Sequence, residues 1–491
     1  MIQLVSGKGL ERCEYAALSH CWGTSLVVRT VKTNLHLFER EVDPLTLNRT
    51  FQDAIAMTRK LRIRYLWIDS LCIIQDDALD WEREAASMAL VYSKARVTIA
   101  ASAAPDGTFG LLRKPSETAL VPLGSEDDVN SVKGRVFIGP ALQRFQDLIR
   151  QPLNTRAWTL QERILSPRTL HFGEDQVYWE CRSLLKCESG VPPYRDMLSR
   201  STQDSFHFGW LPRVSKDLIP ETKADPAISY ATWYGMIQAY TERAITKDSD
   251  RLPALSGLAS AYSKKHNSEY LAGIWLDDLV PGLVWHRRGN ETLRRPAEYR
   301  APSWSWVAVE GPVDFFTITA SSSITEDDIV VEYIEHSIDL QGFDGFGRVA
   351  KGSLTLRGAL KGAYIQTVEE ENAWEGTRDK TQMLFDDVSA IGSVIVDLPA
   401  EDREVYCLQV AWAYSVSVML LLEPVGGSQS STYRRIGIAY LLGQREYRPD
   451  RTLRPTPEGK DQGWLGREEG DEEDSLEYSF DDVDEEIVII I

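Results

Sequence analysis

Basic residues are short relative to acidic ones: 54 Lys+Arg stand against 73 Asp+Glu, a formal net charge of -19 over 491 residues. So acidic a chain is a poor holder of nucleic acid, because phosphate contacts need clustered cations. Cysteine is sparse as well. The six residues Cys13, Cys21, Cys72, Cys181, Cys187 and Cys407 contain no C-x-x-C and cannot frame a disulfide scaffold. No long apolar run occurs. The longest, Tyr406 to Leu422, contains Gln409 and two serines and stops at Glu423, which fits a buried strand pair better than a membrane span. Met1 to Leu10 lacks the apolar run of a signal peptide. Neither G-x-x-x-x-G-K-[ST] nor G-x-G-x-x-G is present, nor is H-E-x-x-H. These absences predict a soluble, reduced, cytoplasmic protein with no nucleic-acid partner and no membrane span.

What is present is an ordinary globular composition. Apolar residues make up 43%, and 14 Trp, 19 Tyr and 14 Phe can fill several cores. At about 150 residues per domain, the length predicts roughly three domains. The charge is concentrated: Glu468 to Glu486 holds 12 acidic and no basic residues, and the rest of the chain carries only -7. Like charges with little to bury predict a disordered tail. Its last five residues, Ile487 to Ile491, are all β-branched. They either pair with a sheet edge or a partner, or fray, and the frayed end is the expectation.

Hydrophobic patterning orders the first third. Tyr15 to Ser19 reads as a buried strand ending in a turn at His20 to Gly23. Thr50 to Arg62 reads as a helix, with Thr50 and Asp53 as a capping box. Tyr65 to Asp69 is a second strand. Asp80 is placed to cap a second helix, whose Trp81, Ala85, Met88 and Tyr92 share one face. Val97 to Ala101 is a third strand. Strands alternating with helices predict a parallel sheet flanked by helices, with ligands at the strand carboxyl ends. Residues 103–152 read as a variable insertion. The region 195–325 is helix-leaning, with Tyr230 to Ala244 and Leu252 to Lys264 clearest. Residues 326–445 read as a β-rich sandwich or barrel, and 446–491 as linker and acidic tail.

Candidate chemistry collects at three clusters: Ser19-His20-Cys21-Trp22-Gly23, Trp67-Ile68-Asp69-Ser70, and Arg156 to Arg163. Two aromatic rings, a carboxylate and an arginine can form a nucleotide-sized pocket. The same residues also serve as core tryptophans and Arg–Glu pairs on a helix. Cys72, or Cys21 with His20, offers a thiol nucleophile, but the apolar run around Cys72 favours a buried structural cysteine. His171, Cys181 and Cys187 offer metal ligands at spacings that match no standard zinc pattern.

The clusters resemble the HET (heterokaryon incompatibility) domain of filamentous fungi. Residues 15–23, YAALSHCWG, resemble its first motif. Residues 54–102, including RYLWIDSLCIIQDD and VYSKARVTIAAS, resemble its second. Residues 153–173, LNTRAWTLQERILSPRTLHFG, resemble its third. The pieces SDRLPALSGLA (249–259), APSWSW (301–306) and YRRIGIAYL (433–441) look like C-terminal regions found in such proteins. The HET-like domain covers about 10–185, and its first motif begins nearer the start of the chain than is usual in such proteins.

The resemblance implies fungal non-self recognition with regulated cell death as output. It also implies partners among other incompatibility proteins, allelic or non-allelic, and self-assembly. A weaker resemblance to TIR domains rests on the strand–helix alternation and on Trp158 and Glu162, a W-x-x-x-E spacing. It implies a TIR/flavodoxin-like fold and NAD or a related nucleotide as substrate, with no cofactor required. Glu162 is then the catalytic carboxylate, with Ser19, His20, Trp22, Asp69, Arg156, Trp158 and Arg163 around the ligand. The alternative is a non-catalytic signalling module whose motifs are structural.

Overall fold

The computed structural model describes residues 2–8, 13–23, 28–111, 121–123, 136–138, 145–148, 150–181, 184–189, 226–289, 291–315, 324, 326–372, 376–385, 388–389, 392–398, 402–413, 416–426, 431–442, 480 and 483–491. The chain divides into two compact units. One comprises Met1–Asp277, Pro296–Ala301 and Ile338–Lys351; the other comprises Asp278–Arg295, Pro302–Ser337 and Gly352–Ile491.

In the first unit, β1 (Tyr15–Ser19), β2 (Tyr65–Trp67) and β3 (Val97–Ala100) alternate with α1 (Leu35–Arg40), α2 (Arg49–Lys60), α3 (Asp69–Cys72) and α4 (Ala78–Lys94). A small ribbon, β4 (Val121–Leu123) with β5 (Val136–Ile138), and α5 (Phe145–Leu148) fall within the expected insertion. Then come α6 (Trp158–Leu165), β6 (Arg168–Phe172), β7 (Val177–Cys181) and β8 (Leu184–Cys187). The helices α7 (Pro226–Thr241) and α8 (Pro253–His266) and the strands β9 (Tyr270–Leu271) and β10 (Ile274–Trp275) complete it.

The main sheet runs β2-β1-β3-β6-β7-β8. The first four strands are parallel, as the alternation predicts. The last three are joined antiparallel, so the sheet is mixed and not parallel throughout. The cause is local. A short turn separates β6 from β7, closed by Gly173 N–H donating to Gln176 O at 3.1 Å. A parallel neighbour needs a crossover of a dozen residues or more. Ala16, Ala17 and Leu18 of β1 are fully buried between neighbours on both sides, which explains their uninterrupted apolar run. Ala16 and Leu18 share a core with Phe51, Ala54, Ile68, Ile99 and Phe172.

Two helix starts differ from expectation. Asn48 caps α2, accepting from Phe51 N–H at 2.9 Å. Thr50 and Asp53 instead hold the loop after β3. Thr50 Oγ1 accepts from Gly110 N–H at 3.2 Å, and Asp53 accepts from Leu111 N–H at 2.8 Å. Asp77 caps α4, while Asp80 accepts from Ile74 N–H at 2.9 Å. A short polar side chain serves whichever unpaired N–H lies nearest, and tertiary contacts decide which that is.

The second unit holds α9 (Leu279–Leu283), the pair β11 (Trp285–Arg287) and β12 (Val313–Phe315), and a strand-rich C-terminal region. Its strands are β13 (Glu332–Leu340), β14 (Val349–Asn372), β15 (Gly376–Phe385), β16 (Val388–Ser389), β17 (Gly392–Val396), β18 (Arg403–Ala413), β19 (Val416–Pro424), β20 (Thr432–Leu442) and β21 (Glu485–Ile490). The run 406–422 is a buried antiparallel pair, as its composition predicts. Arg435 is buried 3.7 Å over the Trp285 ring and 2.5 Å from Asp397. The last residues are not frayed. β21 pairs with both β14 and β20, and Val488 and Ile490 are fully buried. Two open strand edges and a β-branched segment satisfy one another there. The linker and most of the acidic run, 443–479, lie outside the described residues.

Candidate functional site

β1 delivers Ser19 to its carboxyl end, and the chain then turns through His20 to Gly23. Gly23 adopts φ +67°, and a Cβ there would stand 2.3 Å from Asp106 Cβ, so the turn requires glycine. The turn faces the carboxyl end of β2, where Asp69 opens α3. Trp22 Nε1–H donates to Asp69 Oδ2 at 2.9 Å, and His20 Nδ1 lies 3.6 Å from Asp69 Oδ1. Ser70 N–H donates to Asp69 Oδ1 at 2.6 Å, which fixes the carboxylate. His20 is buried, edge-on to Phe51 at 5.0 Å. Burial lowers its pKa and Arg156 lowers it further, against the pull of Asp69, so the imidazole is neutral near pH 7.

The third segment crosses this turn. Arg156 Nη1–H donates to the His20 carbonyl at 2.7 Å, tying residues 136 positions apart. Glu162 follows on α6, only 6% exposed. Burial pushes its carboxyl up to about 7. Hydrogen bonding from Ser19 and Tyr92 and the charge of Arg156 oppose that rise, and Asp69 adds to it. Glu162 Oε2, both His20 ring nitrogens and Ser70 Oγ have no hydrogen-bond partner among the described residues. Buried polar atoms are normally paired, which sets these atoms apart from the rest of the interior. Tyr92 was expected on the apolar face of its helix but not at the site. It sits on the buried face of α4, with its hydroxyl 3.1 Å from Leu18 O. The available signal was a hydroxyl on an otherwise apolar helix face, since a buried phenol needs a partner.

Two of the expected site residues go elsewhere. Arg163 forks onto Glu180 at 2.8 and 3.2 Å, and Glu180 also meets His171 Nε2 at 2.8 Å. Burial raises the Glu180 carboxyl, but Arg163 and His171 outweigh it and hold it at about 2. Ser102 Oγ lies 3.2 Å from His171 Nδ1. The order Ser–His–carboxylate suggests a nucleophilic triad. Ser102 is 0% exposed, however, and no substrate reaches it in this arrangement. Trp158 packs edge-on against Trp81 at 6.4 Å, and Trp81 carries the Arg348 guanidinium at 5.2 Å.

Cys21 and Cys72 form no disulfide. Burial pushes Cys72 up to about 12 and also raises Cys21, which removes the thiolate a nucleophile needs. Among the described residues, no group of three or more His, Cys, Asp or Glu is placed to hold a metal. No described helix is long and apolar enough to cross a membrane. A cavity of about 780 Å³ lies between residues 2–8 and the β2 edge; Trp67 and Ile68 line it, but Ser19, His20, Trp22, Asp69, Arg156 and Glu162 do not.

Ser19, His20, Trp22, Asp69, Arg156 and Glu162 thus form one cluster at the ends of β1 and β2, with Tyr92 behind it. No curated protein and no solved structure matches the chain. Residues 15–162 match the family model described as heterokaryon incompatibility protein (HET). The match opens on the first residue of β1 and closes on Glu162, so it encloses the whole cluster. The chain therefore carries a HET domain over residues 15–162.

Proposed function

We propose that this protein acts in fungal non-self recognition with regulated cell death as its output, and that its HET domain cleaves NAD or a related nucleotide. The observation that carries this reading is Glu162: a buried carboxyl that titrates near 7, with one unpartnered oxygen, among Ser19, Asp69, Arg156 and Tyr92. The parallel order β2-β1-β3 supports a TIR/flavodoxin-like reading, because such sheets bind ligands at their strand carboxyl ends.

In this reading the nicotinamide–ribose bond breaks and its electron pair passes to the pyridinium nitrogen, releasing neutral nicotinamide. The ribose develops oxocarbenium character, which the ionised Glu162 stabilises. Water then attacks the anomeric carbon, and its proton passes to Glu162. The leaving group is already cationic, so no strong general acid is needed. Arg156 supplies charge to the phosphates through its remaining guanidinium nitrogens, and Trp22, held by Asp69, offers a ring for stacking.

A second reading, a non-catalytic assembly module, draws on different observations. Glu162 is almost closed off, Arg163 is committed to Glu180, and Trp158 packs on Trp81. One experiment separates the two: nicotinamide release from NAD by concentrated protein, beside Glu162→Gln with unchanged circular dichroism. Turnover that disappears in the variant supports the enzyme. No turnover in either sample, with assembly demonstrated, supports the module.

A further inference from the structure

Arg156 reaches His20 with its side chain, but much of what holds its backbone lies beyond Glu162, where the family match ends. The chain returns to it at Arg243 and Ala244, just past the end of α7. Ala244 bridges Arg156 in parallel. Ala244 N–H donates to Thr155 O at 2.7 Å, and Ala157 N–H donates to Ala244 O at 2.9 Å. The Arg243 guanidinium closes the junction. Its Nη1–H group donates to Arg156 O and to Thr159 Oγ1, each at 3.3 Å. The Thr159 hydroxyl is itself shared between Arg156 O and Leu153 O, both at 2.8 Å.

The two peptide groups that flank the Arg156 Cα carry four polar atoms: Thr155 O, Arg156 N–H, Arg156 O and Ala157 N–H. Residues 243 and 244 bond three of them, and Leu153 O takes the fourth. Two fixed peptide planes leave Arg156 little backbone freedom, so its guanidinium meets the His20 turn from a rigid base. Arg243 is a costly residue to keep there. Burial and the neighbouring Arg163 push its pKa down to about 9, and the charged neighbours acting on it, Arg163 and Tyr240, include no carboxylate. Its Nε is buried without a partner among the described residues. An interior cation with no acid beside it destabilises the fold, which sets Arg243 apart from a surface cation kept for solubility.

We propose that Arg243 and Ala244 are positioning residues of the cluster: they hold Arg156 on the His20 turn, so the site is completed by a segment outside residues 15–162. This role rests on the reading of the cluster as the functional site, and its test needs no NAD.

The charged groups acting on His20 are Asp69 and Arg156, and Arg156 lowers its pKa. The His20 ring therefore reports where Arg156 stands. Its titration is followed by NMR on the full-length protein labelled at histidine, with His20→Gln for assignment. Arg243→Met should raise the midpoint by about half a pH unit, because the cation is no longer held beside the ring. Thr159→Val removes the second donor to the Arg156 carbonyl and should move the midpoint the same way. In an Arg156→Met background neither substitution should move it further. A loss of stability alone leaves the midpoint where it was. A wild-type midpoint in both variants overturns the proposal, and so does an equal shift with and without Arg156. If Arg243→Met does not fold, Thr159→Val and its pair with Arg156→Met give the same two outcomes. On the enzymatic reading, kcat/KM for NAD should also fall in Arg243→Met. No turnover in the wild type removes that reading and leaves the His20 result standing.

Discussion

Glu162 and Arg163 are consecutive on one helix, yet their side chains serve separate networks. Arg163 forks onto Glu180, while Glu162 sits with Ser19 and Tyr92 and keeps one oxygen unpartnered. Successive helical residues point about 100° apart, so one turn can supply both a closed structural pair and an open functional group. Substitutions at the two positions should therefore fail in different ways.

Arg163→Met should destabilise the fold by about 3–5 kcal/mol, because it strands the Glu180 charge in the interior. The folded carboxyl of Glu180 is held at about 2, below its unfolded value. Its contribution is therefore present above about pH 4.5 and is lost as pH falls towards 2. Urea unfolding at pH 7 and pH 3 should show the variant's deficit shrinking in acid. An equal deficit at both pH values would contradict the pairing.

Glu162→Gln should act on stability with the opposite sign. The folded carboxyl titrates near 7, above its unfolded value, so between about pH 4.5 and 7 the native state binds the proton the unfolded chain has released. Wild-type stability falls across that window, by about 3 kcal/mol if Glu162 acted alone. The variant should lack this slope and be more stable than wild type at pH 8. Thermal melts at pH 5 and 8 read it directly.

NAD turnover, on the enzymatic reading, should rise with pH through about 7, because the ionised Glu162 is the active form. Asp69 raises the Glu162 carboxyl, so Asp69→Asn should move that rise to lower pH. Nicotinamide release from pH 5 to 9 measures both profiles. A rise that stays in place in Asp69→Asn would uncouple the two carboxylates.

Trp22→Phe should cost about 1 kcal/mol by removing the indole donor from Asp69. Combined with Asp69→Asn, the losses should be less than additive by at least about 0.5 kcal/mol. Strict additivity in denaturant midpoints would mean that the contact contributes nothing.

Gly257→Ala should cost about 1–3 kcal/mol, since the new methyl would stand 2.4 Å from Ala89 Cβ where α8 meets α4. Adding Ala89→Gly should recover part of the loss. Recovery in chemical denaturation identifies a steric origin, and a further loss would point to helix propensity instead.

The local elements were legible because their signals are local. A continuous apolar run marks β1, and helical spacing puts Ala85, Met88 and Tyr92 on one buried face. The hairpin at 406–422 showed in its alternation and length. The direction of β7 against β6 was not legible, because a short turn and a crossover leave similar strand signatures. Asp53 and Asp80 looked like caps and serve other N–H groups, since a carboxylate's sequence position does not say which backbone donor it will face.

By itself, the sequence determined the three motifs, the residue types at the cluster and the membership of residues 15–162 in the HET family. Those properties depend on order along the chain. Only the tertiary structure decided that Arg156 meets His20, that Arg163 turns away to Glu180, that Glu162 is held near neutrality and that the last strand closes a ring. Pairing, burial and proton affinity depend on distances through space, and those are set when segments more than a hundred residues apart pack together.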